Sequence, residues 1–86
     1  MPRDLIHEHQ FETECAALAS IRAIDDALHY VTWQIARMPE AGQQIATTKV
    51  WAVPFRGLDR RLVLFYQFDK QGNGAIQLLS LRDFDA

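Results

Sequence analysis

The chain is poor in cysteine. Among its 86 residues only Cys15 carries a thiol, so no disulfide can form within it. A reducing compartment, the cytoplasm, is the expected location. Long hydrophobic runs are missing as well. Nothing approaches the ~18 consecutive apolar residues of a membrane span, so no membrane is expected among its partners. The first ten residues, MPRDLIHEHQ, lack the apolar stretch of a secretory signal. There is no internal repeat and no low-complexity linker, and 86 residues make one domain, residues 1–86. Positive charge is not in excess: 9 basic side chains face 11 acidic ones, a formal net charge of −2. Such a chain is a poor non-specific binder of nucleic acid, because phosphate affinity comes mostly from clustered Lys and Arg. Walker loops, dinucleotide glycine motifs, zinc cysteine patterns and nucleophile elbows are all absent, so no cofactor and no metal are assigned.

What is present is uneven. Residues 1–43 hold three basic and seven acidic side chains; residues 44–86 hold six and four. The basic residues therefore gather in the second half, where residues 49–82 read as three strands folded back on each other. The middle run, Leu62-Val63-Leu64-Phe65-Tyr66-Gln67-Phe68, is the most apolar part of the chain and rich in β-branched and aromatic residues. In the first strand Val50 and Ala52 face one way, and Trp51, Val53 and Phe55 the other. Pro54 cannot donate a ladder hydrogen bond and belongs at a strand end or sheet edge. Residues 56–60 and 69–74 read as hairpin loops, the second with two glycines and Asn73. The third strand is read over residues 75–81.

Upstream, residues 4–10 alternate weakly and suit a short edge strand. On a strand, His7 and His9 would share a face and make two legs of a metal site, but the sequence sets no third ligand. Phe11, Cys15 and Leu18 lie on one face of a first helix, with Thr13 able to cap its start. Cys15 then reads as a buried, inert thiol. A second helix carries Ile24, Leu28, Val31 and Ile35 at i, i+4, i+7 and i+11, and ends near Met38 because Pro39 cannot continue it. Trp33, Trp51, Tyr30 and Tyr66 read as core or interface anchors. Tyr66 is the one most expected to present its hydroxyl on the sheet. The fold class is α+β: a short N-terminal strand and two helices packed on a three- to four-stranded antiparallel sheet. Both faces of the middle strand are apolar, with Leu62, Leu64, Tyr66 and Phe68 on one and Val63 and Phe65 on the other. Two helices cover one face, so the other is expected to meet a second chain. The expected partner-binding residues are Trp51, Phe55, Phe65 and Tyr66.

The order of these elements carries a resemblance. A strand, a helix with Phe11, the amphipathic helix ending in Pro39-Glu40-Ala41-Gly42, then Arg61-Leu62-Val63-Leu64-Phe65-Tyr66 and Ile76-Gln77-Leu78-Leu79-Ser80-Leu81-Arg82 together resemble the RelE/ParE superfamily of bacterial toxins. The resemblance covers nearly the whole chain. It implies a toxin of a type II toxin–antitoxin pair, neutralised by a cognate antitoxin. The RelE branch cleaves mRNA on the ribosome without a metal; the ParE branch poisons DNA gyrase. Carried over by position, Arg61 matches the phosphate-binding arginine, Arg56 is a second, and Arg82 lies near the C-terminal one. The sequence departs from the pattern at Ala52 and Pro54, where a basic pair is expected, and at Phe84, where a tyrosine is expected. The alternative reading is a non-catalytic interaction module of the same fold, acting as a homodimer or on another partner.

Overall fold

The computed structural model describes residues 3–18, 22–57, 60–69 and 74–83. A short strand β1 (Leu5–His7) leads into helix α1 (His9–Leu18) and helix α2 (Arg22–Arg37). A 3-10 turn (Pro39–Ala41) follows, then the two-residue strand β2 (Gln43–Gln44) and three long strands, β3 (Val50–Gly57), β4 (Arg60–Gln67) and β5 (Ile76–Asp83). The described residues form an α+β domain. Its five strands lie in the order β1-β5-β4-β3-β2, with β1 parallel to β5 and every other pair antiparallel. The expected sheet was purely antiparallel and had at most four strands. It becomes mixed because the helices carry the chain back over the sheet, so that β1 enters beside the last strand in the same direction. It gains a fifth strand because Gln43 and Gln44 pair with Ala52 and Trp51.

Burial follows the α2 periodicity. Ile24, Leu28, Val31 and Ile35 are all 7 % exposed or less. At about 1.5–3 kcal/mol for each fully buried aliphatic side chain, this stripe is the main hold of α2 on the sheet. It packs with Trp51, Val53, Leu62, Leu64, Tyr66, Ile76, Leu78 and Leu81 into one core, joined by Phe11. Glycine at position 57 matters here: a Cβ on it would stand 3.1 Å from the Cα of Ile24, so its absence lets β3 pass close to α2. A register shift between Phe65 and Tyr66 accommodates one extra residue, Leu79, in β5.

Four local readings change. Arg56, Gly57 and Arg60, read as loop, are strand residues, because β3 and β4 stay paired up to Gly57 and Arg60. His9 opens α1 rather than continuing β1, so His7 and His9 do not share a strand face. The switch comes where the backbone N–H of Glu8 donates to Leu78 and Glu12 already donates back to Glu8. Thr13 is inside the helix, not at its cap; its hydroxyl donates to the carbonyl of His9 at 3.0 Å. Asp83 and Arg82 extend β5 beyond the expected end at residue 81. The readings placed on Leu58, Asp59, residues 70–73 and Phe84, and on the side chain of Leu18, lie outside the described residues. Among the described residues no helix is long and apolar enough to cross a membrane.

Candidate functional site

The sheet has a helix-covered face and an open one. On β4, Leu62, Leu64 and Tyr66 turn to the helices, so Arg61, Val63, Phe65 and Gln67 turn away from them. Register then assigns the neighbours. Arg56 stands directly opposite Arg61, Pro54 opposite Val63, and Val63 opposite Arg82. All three arginines picked out by sequence therefore belong to the open face, at one end of the sheet. Directly opposed residues have Cβ atoms about 4.5–5.5 Å apart and diagonal neighbours about 7–8 Å, within reach of one shared anion for side chains as long as arginine. A shallow groove of about 290 Å³ lined by Pro54, Phe55, Arg56, Arg61 and Leu62 lies beside the pair.

Two arginines facing each other across a ladder repel. Their pairing concentrates positive charge at this end of the sheet, and guanidinium groups bind phosphate oxygens in a bidentate fashion. Arg82 is held in place. Its Nε lies 3.1 Å from Oε2 of Glu14 and donates to Oγ of Ser80 at 3.1 Å. Glu14 reaches β5 because β1 pairs only with Ile76, Gln77 and Leu78, leaving the later part of that edge to α1. There the Glu14 carboxylate accepts from the Ser80 hydroxyl at 2.8 Å and from the backbone N–H of Leu81 at 3.3 Å. One carboxylate thus caps the sheet edge and orients an arginine of the open face. Nothing in the sequence marks Glu14 for this role, since the pairing spans the whole length of the domain.

The residues expected to meet a partner divide. Trp51 is 7 % exposed and Tyr66 fully buried, so neither offers surface. Tyr66 turns its hydroxyl inward: it donates to the carbonyl of Pro39 at 2.6 Å and accepts from the N–H of Gly42 at 3.0 Å. The reading of Tyr66 as a hydroxyl presented on the sheet is corrected by this pair of bonds. Burial pushes its pKa above the ordinary 10.0, against the opposing effect of the Gly42 N–H. Phe55 and Phe65 are half-buried. Among the described residues the exposed large hydrophobic side chains are Ile6, Tyr30, Trp33, Met38 and Ile45. Tyr30 and Trp33 are on α2 and Met38 directly follows it, whereas Ile45 lies beside Ala52, Pro54 and Val63 of the open face, where Val63 itself is 4 % exposed.

The arginines of the open face supply binding and charge stabilisation. Arginine stays protonated and cannot act as a base. Its described neighbours Ala52, Pro54 and Val63 carry no proton to transfer, and Glu14 is engaged by Ser80, Leu81 and Arg82. Cys15 is half-buried; burial, then the negative charges of Asp25, Glu14 and Glu12, push its thiol from 9.0 up to about 11, which makes it a poor nucleophile at neutral pH. His7 packs edge-on against Phe11, and His29 faces Asp25 at 3.5 Å. No group of three metal-ligating side chains comes together among the described residues. No protein-family model matches the chain, nor does any curated protein or solved structure.

Proposed function

We propose that the chain is a RelE/ParE-like toxin-family protein of a bacterial toxin–antitoxin pair, acting in the cytoplasm, whose open sheet face binds the phosphates of an RNA target such as mRNA on the ribosome. The observation that carries the reading is the convergence of Arg56, Arg61 and Arg82 on one end of that face. The resemblance in element order singles out the same three residues independently of the register. Phosphate recognition by two or three arginines supplies positioning and charge stabilisation. Beside the arginines, Pro54 and Val63 carry no group that transfers a proton, and Ser80 and Glu14 are engaged with each other, so any cleavage would be slow, the product of a degraded site. That same observation favours the second reading, a non-catalytic interaction module of this fold that grips its target without cutting it.

Induced expression in a bacterial host tests the proposal. Growth arrest is expected, relieved by Arg61→Ala and by co-expression of the neighbouring gene. Normal growth of the host without that gene would sink the toxin reading. In arrested cells, mapping of mRNA 5′ ends separates the two forms: new ends at ribosome-occupied codons mean cleavage, whereas arrest without new ends means binding alone.

A further inference from the structure

Helix α2 has two stripes. The buried one uses Ile24, Leu28, Val31 and Ile35; the other runs along Asp26, Tyr30, Trp33 and Arg37, with the same spacing of four, three and four residues. The second stripe is displaced by two residues from the first, which is about 200° around a helix of 3.6 residues per turn, so it looks away from the core. Its members are all exposed, Tyr30 by 64 % and Trp33 by 53 %. Exposed aromatics cost solubility and are enriched where proteins meet. These two are already ordered against each other. The rings of Tyr30 and Trp33 stack at 6.3 Å, and the guanidinium of Arg37 lies 4.0 Å over the Trp33 ring. A preformed aromatic and arginine patch loses little side-chain freedom on binding.

The order of charges along the stripe says what fits it. Asp26 is at one end, Arg37 at the other, and the two aromatics lie symmetrically between. When a second α2 is laid antiparallel across it, with the two-fold axis between Val31 and Thr32, Asp26 faces the partner's Arg37. Tyr30 then faces the partner's Trp33, and both contacts occur twice. A two-fold interface requires a self-complementary patch of this kind. The four-three-four spacing is that of a shallow antiparallel helix pair. We propose that the chain forms a homodimer through the outer face of α2, with reciprocal Asp26–Arg37 ion pairs flanking a Tyr30–Trp33 aromatic centre. The contact runs about 16 Å along each helix, at the small end of specific interfaces, so association is reversible and concentration-dependent.

Analytical ultracentrifugation of the full chain from micromolar to millimolar concentration tests this. The wild type is expected to shift from monomer to dimer. Asp26→Arg alone sets arginine against the partner's Arg37 twice, and Arg37→Asp alone sets aspartate against the partner's Asp26 twice. Each is expected to weaken association about tenfold or more. Mixing the two variants restores both ion pairs in the heterodimer, so an equimolar mixture is expected to associate where neither variant does alone. Because each variant serves as the other's folded partner, the rescue cannot come from a folding defect. A monomer throughout the series, a dimer indifferent to both substitutions, or a mixture no better than its components would each overturn the proposal.

Discussion

Replacing Tyr66 by Phe keeps the ring and removes one oxygen. The ring stays stacked 6.2 Å from Phe68 in the core, so packing changes little. What is lost is a hydroxyl that donates to the Pro39 carbonyl at 2.6 Å and accepts from the Gly42 N–H at 3.0 Å. Each bond contributes about 1 kcal/mol net, and a part-buried backbone group left without a partner adds its own desolvation cost. The expected loss is about 2–3 kcal/mol. For a domain of this size each kcal/mol moves the melting temperature by about 4–8 °C, so Tm should fall by about 10–20 °C. Urea titration followed by circular dichroism should show a lower midpoint at an unchanged slope, because the surface exposed on unfolding is the same. A loss below about 0.5 kcal/mol would refute the reasoning, since it would mean that water satisfies both groups once the hydroxyl is gone. Gly42→Ala probes the same staple from the other side. A Cβ there would stand 2.5 Å from the tyrosine oxygen and 2.7 Å from the carbonyl oxygen of Ala52. The second of these is backbone and cannot turn aside.

Glu14→Ala should cost about 1–2 kcal/mol in urea denaturation, mainly from the stranded Leu81 N–H and Ser80 hydroxyl, because the ion pair with the largely exposed Arg82 is screened by solvent. The Cys15 thiol is raised from 9.0 to about 11, so the folded state favours its neutral form. Its contribution is whole below pH 9.0 and fades as pH climbs toward 11, and wild type should lose stability across that window more steeply than Cys15→Ala. Asp26 of the dimer stripe and Arg61 lie on opposite faces of the domain, although Tyr30 and Arg56 line one cavity at the β3 edge. Asp26→Arg should therefore leave Arg61-dependent growth arrest intact in the expression assay; a loss of arrest with normal protein level would tie the two surfaces together.

The helix stripe of α2, its end before Pro39 and the alternation of β3 were legible in the sequence because each rests on local periodicity. Ile24, Leu28, Val31 and Ile35 are all buried, as their spacing predicts. Gly42 was legible as a turn signal, but the reason is different: it avoids a clash with Tyr66 and Ala52 and does not take a positive φ. The two-residue strand β2 escaped because Gln43 and Gln44 are polar and exposed and have no alternation to read. Glu14 escaped because its partners lie on β5, 66 and 67 residues away in sequence. Tyr66 was misplaced because a phenol reads as half-polar. Only the turn crossing above the sheet supplies the two partners that let it enter the core. Of the candidate site, the three arginines were legible by position, but their common face was not, because the sequence places Arg56 in a loop and Arg82 past a strand end, whereas β3 and β5 run on through both. What sequence could not give was the register that opposes Arg56 to Arg61.

Helix α2 sets how the two surfaces lie: its Tyr30 and Gln34 line one cavity with Pro54, Phe55 and Arg56 at the β3 edge. Its inner stripe fixes it on the helix-covered face of the sheet, and its outer stripe must then look away from that sheet. The arginines belong to the opposite face. A two-fold pairing of outer stripes therefore leaves Arg61 and Arg82 on the face turned away from the partner helix, while Arg56 lies nearest to it. The benefit of such a dimer for a polymeric target is avidity, which depends on whether one strand can span both sites. A short RNA that engages one face would bind monomer and dimer alike. A longer one would bind the wild type more tightly than Asp26→Arg, and the length at which the two diverge measures the span between the faces.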